Sequence, residues 1–377
     1  MRRSVLPAVL LTVLLAGCSL PARSRAVDEL LPVETLGFDV TDDGVIVSAS
    51  AGGTKTGDKS AALAASGGSF PQAVERLRSW SDAQELFFGH VRYVVAGEPA
   101  ARAGLTPVLD VFARSSQTSL ELPLIVVRGG EARPLVTGHA DPAYEISALL
   151  DAMRRDAELS GAARCFTLRQ VIQRLNRSGA ALCCAIRAKD AGENVPSAED
   201  GTFSVLCAGY AVLRRGALAG FLDRDAALGA DLLLGLAGQA EYLLPGQSGP
   251  VTVSLLESAA DISPRQTRGG TPVLAVTVRV RAGIQATEGA DVSRREARQA
   301  LSAALARSVA AQVEAALSAE RELGADFLEL RRLLQSKAPE TLAALPEEEF
   351  LRTLRWQIFP QAILERSYDT DGGVVHG

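Results

Sequence analysis

The chain of 377 residues carries five cysteines and three histidines, few enough that each can be weighed for chemistry. Cys165, Cys183, Cys184 and Cys207 lie in its middle third. A thiol becomes a nucleophile when a base stands within hydrogen-bond reach, a distance that no sequence spacing supplies for these cysteines and His90 or His139. His90 follows Gly89 inside an apolar run and reads as a polar contact or a satisfied core residue. His139, in Thr-Gly-His-Ala-Asp-Pro, belongs to a turn with no second histidine or paired acid at ligand spacing, and His376 lies in a polar tail. The chain has no Gly-x-Ser-x-Gly elbow, phosphate loop or His-Glu-x-x-His. No catalytic, metal-binding or cofactor-binding residue is expected, and the chain is not read as an enzyme.

The remaining cysteine, Cys18, has a different context. Arg2 and Arg3 precede an apolar run from Val5 to Leu15, and Leu15-Ala16-Gly17 leads directly into Cys18. A positive end, a short apolar core and small residues before a cleavage point make an export signal. The run falls short of the roughly 20 residues a spanning helix needs. Leu-Ala-Gly-Cys resembles a bacterial lipobox, which implies cleavage before Cys18 and a lipid thioether on its sulfur. Each buried methylene of an acyl chain such as palmitate gives roughly 0.8 kcal/mol, so two or three chains anchor a protein durably. Residues 1–17 are thus read as a signal peptide and 18–27 as a tether.

Composition narrows the partners. Hydrophobic residues at 47% support sizeable cores, and no later apolar run is long enough to span a bilayer. The formal charge of -5 falls by two, to -7, once Arg2 and Arg3 leave. A mildly acidic body suits neither nucleic acid nor a polybasic hold on anionic lipid, which leaves Cys18 as the link to membrane lipid.

The elements follow from periodicity. Glu34 to Asp43 and Gly44 to Ser50 read as a hairpin turning at Asp42-Asp43-Gly44. Gly52 to Gly68, rich in Gly, Ala and Ser, reads as a loop. Ser69 caps a helix carrying Phe70, Val74, Leu77 and Trp80. Gly67-Gly68-Ser69 before that helix is compatible with anion binding, although a loop meeting a capped helix explains it as well. Leu86 to Gly97 reads as one buried strand, Glu98 to Arg114 as a helix broken near Gly104 and Pro107, Leu120 to Val127 as a strand, and Pro142 to Ala157 as a helix. Thr167 caps a helix that Gly179 ends. Strands 180–187 and 202–214 flank a polar loop centred near Val195. Paired antiparallel, they set Cys183 about opposite Cys207, which leaves two outcomes open, a Cys183–Cys207 disulfide or buried free thiols.

Asp223 caps a leucine-rich helix, and Pro245 to Pro250 reads as a linker. Two alternating strands follow, Val251 to Ile262 and Pro272 to Ala282. Ala297, Leu301, Leu305, Val309, Val313 and Leu317 then mark a long helix with a possible break at Gly324 and a mixed-charge outer face. Glu347-Glu348-Glu349 suits a helix start, Phe350 to Trp356 a short helix or strand, and Ala362 to Tyr368 a last strand. These elements define an α+β protein of three sequential mixed α/β domains, each a small sheet with helices. Residues 28–160 form the N-terminal domain, 161–245 a small middle domain, and 246–377 a C-terminal domain with the long helix.

Several blocks in order resemble the C-subunit lipoproteins of bacterial spore germinant receptors, the GerAC family. They are Arg25-Ala26-Val27-Asp28-Glu29-Leu30 with Gly37-Phe38-Asp39, and Leu86-Phe87-Phe88-Gly89-His90 with Gly97-Glu98 and Ala101-Arg102-Ala103-Gly104-Leu105. Further along are Gly209-Tyr210-Ala211-Val212, Leu218-Ala219-Gly220-Phe221-Leu222-Asp223, Gly324-Ala325-Asp326-Phe327 and Trp356. The four internal cysteines and the composition of 52–68 depart from the pattern. The resemblance implies a fold of three α/β domains and a non-enzymatic subunit, lipid-anchored to the outer face of the spore inner membrane. It implies two integral-membrane receptor subunits as partners, one of them permease-like, and a role in nutrient-triggered germination after sporulation. The alternative is a solute-binding lipoprotein that captures a small molecule for a membrane partner. That reading needs a cleft between two similar lobes, whereas the units here are unlike and aromatics are only 5%.

Overall fold

The computed structural model describes residues 30–52, 61–79, 85–115, 118–138, 145–161, 163–189, 204–265, 273–290, 292–343 and 350–365. Cys18, His139, Trp80, Glu347-Glu348-Glu349 and His376 lie outside them.

Strands β1 (Leu30–Thr41) and β2 (Gly44–Ala51) form the expected hairpin, with Thr41 opposite Gly44. The stretch read as a loop contains a third strand, β3 (Ala61–Gly67), antiparallel to β2. Its small residues carry no strong strand preference, and the partner strand supplies the pairing. Helix α1 (Phe70–Ser79) begins where expected, and its start is closed by its own side chains. Gly68 N–H donates to Gln72 Oε1 at 2.7 Å, and Ser69 Oγ accepts from Gln72 N–H at 3.4 Å. That closure favours the capped-helix reading over anion binding.

Leu86 to Gly97 is two short strands, not one. β4 (Glu85–Phe87) pairs with β1, a 3₁₀ turn spans Phe88–His90, and β5 (Tyr93–Ala96) returns to β1 in parallel. Helices α2 (Glu98–Ala103) and α3 (Thr106–Arg114) flank the predicted break. Next come β6 (Leu124–Val127), α4 (Ala132–Thr137), α5 (Ile146–Ser160) and α6 (Leu168–Ser178). Helix α6 carries a full capping box between Thr167 and Gln170 and ends at Gly179 with φ of 72°. β7 (Ala180–Lys189), β8 (Ser204–Arg214) and β9 (Ala217–Leu222) complete the sheet, and α7 (Arg224–Leu234) starts on the Asp223 cap.

Among the described residues this sheet has nine strands, in the order β3-β2-β1-β5-β6-β7-β8-β9 with β4 beside β1. Its central strands alternate between two cores. Val94, Ala96, Leu124 and Val126 face α1, α2, α3 and α6, whereas Tyr93, Val95, Ile125 and Val127 face α4 and α5. Parallel strands need such cover on both faces.

The second sheet holds β10 (Glu241–Pro245), β11 (Pro250–Arg265), β12 (Val273–Thr287) and β13 (Arg355–Glu365), in that order. Helix α8 (Arg295–Leu323) covers one face with Leu301, Leu305, Val309, Val313 and Leu317 buried, and Gly324 stops it in the left-handed region. Short helices α9 (Leu330–Lys337), α10 (Pro339–Ala343) and α11 (Phe350–Thr353) lead into β13, which pairs with β12 in parallel.

The α+β class holds, but among the described residues the strands build two sheets, not three. The strands of the expected N-terminal domain and β7, β8 and β9 of the expected middle domain share the first sheet through the β6–β7 pairing, whereas β10 belongs to the second. The segment Pro245 to Pro250 is a hairpin turn inside the second sheet, closed by Gly246 N–H on Gly249 C=O, and not a linker. Periodicity places strands but does not say which strand each one joins.

The two sheets meet where α7 crosses α8. A Cβ on Gly229 of α7 would lie 1.9 Å from the Gln312 carbonyl oxygen of α8. Gln312 is itself buried, accepting from Tyr242 Oη at 2.7 Å and reaching Asp225 at 3.4 Å. Gly229→Ala must therefore push two backbones apart, and a loss of about 3 kcal/mol is expected. Gly130→Ala, whose Cβ would meet nothing closer than 3.6 Å, should stay within about 0.5 kcal/mol of the parent. Urea unfolding of both variants checks the contrast.

Candidate functional site

The chemistry-bearing side chains gather around the β7–β8 ladder. Cys183 and Cys184 point to opposite faces, Cys183 into the larger core and Cys184 into the core under α5. The register sets Cys183 opposite Ala211 and Cys207 opposite Ile186, with an irregularity between Cys184 and Ile186. Cys183 and Cys207 therefore do not stand opposite each other, and both are free thiols, the other of the two outcomes. The ladder starts with Lys189 opposite Ser204, and nothing in the sequence dictates that register.

All four internal cysteines are free thiols. The sulfurs that do meet are those of Cys165, Cys184 and Cys207. The Cys184 S–H donates to the Ala185 carbonyl at 3.8 Å, and the neighbouring Cys165 and Cys207 thiols together with complete burial hold its thiol well above the ordinary range. Cys207 is pulled below that range by the neighbouring Cys184, with the Gly209 N–H helping and burial opposing. Cys183, alone on its face, is pushed up by burial.

Two further buried groups surround the ladder. Tyr210 Oη donates to Asp231 Oδ1 at 2.6 Å and accepts from Arg164 N–H at 2.7 Å. Asp231 Oδ2 has no partner, and burial raises this carboxyl to about 7. At the end of α8, Glu320 lies against Asp326. Asp326 accepts from Leu330 N–H at 2.6 Å and Arg331 N–H at 3.0 Å, whereas Glu320 accepts from Leu328 N–H at 3.0 Å. Desolvation first, then Asp326, raises the Glu320 carboxyl well above its ordinary value. A sequence signal for Glu320 exists, since it falls three residues after Leu317 on the buried stripe. Asp231 is likewise the one acid inside the apolar run Ala230-Asp231-Leu232-Leu233-Leu234.

Two open clefts adjoin these groups. One, of about 380 Å³, lies between the α6–β7 turn, the β8–β9 turn and the end of α8, and is lined by Arg214, Arg215, Arg331 and Arg352. The other, of about 650 Å³, is lined by Arg128, Arg187, Arg224, Asp156 and Asp223, with Cys207 on its wall. His90 is exposed on the 3₁₀ turn and joins neither cleft. Among the described residues no group of three His, Cys, Asp or Glu is placed to hold a metal ion, and no helix is long and apolar enough to cross a membrane.

The described residues form a two-sheet α+β fold with arginine-lined clefts, and comparison with known proteins gives its family. The profile described as "Spore germination protein N-terminal domain" matches residues 23–188, and "Spore germination B3/ GerAC like, C-terminal" matches residues 208–370. The chain belongs to the GerAC-like family of spore germination proteins. It is 25% identical over 323 residues to YfkR of Bacillus subtilis (strain 168), a protein named for spore germination, covering 83% of this chain and 79% of that one. It shares its fold with the crystal structure of the GerBC protein, at 14% identity and a TM-score of 0.53, over 87% of this chain and 96% of that one.

Asp231 makes stability depend on pH. In the unfolded chain it releases its proton near its ordinary value of 3.8, whereas the fold holds that proton to about 7. Native protein thus binds more protons between these values, and stability falls as pH rises through the window. The loss is on the order of 4 kcal/mol when complete. Asp231→Asn should remove this component, so its stability relative to the parent rises between about pH 4 and pH 8. Urea midpoints across that range measure it, and a constant difference would contradict the assignment.

Proposed function

We propose that this protein is the lipid-anchored, non-enzymatic C-subunit of a spore germinant receptor. It is held at the outer face of the spore inner membrane beside two integral-membrane subunits, one of them permease-like. The observation that carries the reading is the succession of two spore germination profiles along almost the whole chain, preceded by Leu-Ala-Gly-Cys18. The anchor supplies what the body lacks, since no helix among the described residues is suited to cross a bilayer.

The mechanism is confinement. A body that diffuses in two dimensions meets its membrane partners at a high effective concentration, so contacts too weak for a soluble protein suffice. The mixed-charge face of α8 and the arginine-lined clefts suit such contacts with polar partner surfaces.

Cys18→Ala should release the protein from the membrane fraction and abolish nutrient-triggered germination. Fractionation of spores and loss of optical density on adding nutrients are the two measurements. A variant that stays with the membrane would remove the lipid thioether from the account. A released variant that germinates normally would show that the tether is dispensable.

A further inference from the structure

The thiol cluster of Cys165, Cys184 and Cys207 has no part in the tethering role. It is a built arrangement: Cys184, wholly buried in the core under α5, has Cys165 and Cys207 packed against the same cluster. Cys207 is only partly buried and forms part of the wall of the 650 Å³ cleft. A small oxidant in that cleft can reach Cys207 while Cys184 stays sealed.

The backbone contributes as well. Gly209 has φ of 85°, and a Cβ there would lie 2.2 Å from the Leu222 carbonyl oxygen. This conformation accompanies the irregularity in the β7–β8 pairing, which sets Cys207 opposite Ile186, two residues along the strand from Cys184. The neighbouring Cys184 and the Gly209 N–H pull the Cys207 thiol below its ordinary value, which favours the thiolate, the form that attacks oxidants. Arg128, Arg187 and Arg224 on the same walls outnumber Asp156 and Asp223.

We propose that Cys207 is a peroxide-reactive thiol and Cys184 its resolving partner, so that hydrogen peroxide joins them in a disulfide across the β7–β8 ladder. In the first step the Cys207 thiolate attacks one peroxide oxygen and the O–O bond breaks. The sulfur becomes a sulfenic acid, and hydroxide leaves and takes up a proton to become water. In the second step the Cys184 sulfur attacks the sulfenic sulfur. Its proton departs with the sulfenic hydroxyl as a second water, and the S–S bond forms. Two thiols are oxidised and one peroxide is reduced to two waters. Cys183 takes no part because it lies on the other face of the strand.

The test uses the full chain bearing Cys18→Ala, so that only the four internal thiols count. After brief exposure to hydrogen peroxide, the denatured protein should show two alkylatable thiols where untreated protein shows four. Non-reducing tryptic digestion should then link the peptide of Cys183 and Cys184 to that of Cys207. Cys183→Ala should leave the link in place, whereas Cys184→Ala should abolish it and leave Cys207 open to dimedone. Before oxidation, iodoacetamide should modify Cys207 in the folded parent at least about tenfold faster than Cys183, a comparison that needs no variant to fold. Four intact thiols after peroxide, or a bridge to the Cys165 peptide, would overturn the proposal.

Discussion

The crossing of α7 over α8 holds this molecule in one piece. Gly229 lets two helical backbones touch where any side chain would separate them, and Gln312 fills the seam with hydrogen bonds to β10 and to α7. Helix α7 follows directly from the first sheet, and α8 is the cover of the second, so this contact fixes one layer against the other. The apolar core runs through it without interruption, from Leu182 and Val212 under the first sheet to Val276 and Val309 in the second. The long helix acts as a spine whose outer charges are displayed at a set angle to the rest of the body.

The polar interior follows the same economy. Asp231 and Glu320 sit on the buried sides of α7 and α8, and both have carboxyls raised by burial. Burial favours the neutral form of such acids, which lessens the need for buried cations to match them. The arginines of the two clefts line open surface, on a protein whose overall charge is negative.

Much of this was legible in the residues, for identifiable reasons. Asp42-Asp43-Gly44 can only be a tight turn, Gly104 and Pro107 break a helix, and a stripe every four residues from Ala297 to Leu317 demands a long helix against a partner. Thr167 and Gln170 announce a helix start before any contact is known. The strand Ala61–Gly67 was not legible, because alanine and glycine show no alternation for a neighbour to read. Nor was the cysteine geometry. Two residues on one strand define its faces, but the partner's register depends on the Gly209 conformation and on a loop without apolar pattern. The identity of the meeting sulfurs turned on that register. Cys165, distant in sequence and outside both strands, gave no sign that it would join them.

The two family profiles meet within residues 189–207, between strands that are neighbours in one continuous ladder. Each evolutionary segment thus ends on a strand whose backbone groups are satisfied by the other. Fragments divided there would both carry a raw β edge, an invitation to mispair or clump. Segments exchanged between relatives at that seam would have to arrive with matching strand faces, so the two must change together or not at all.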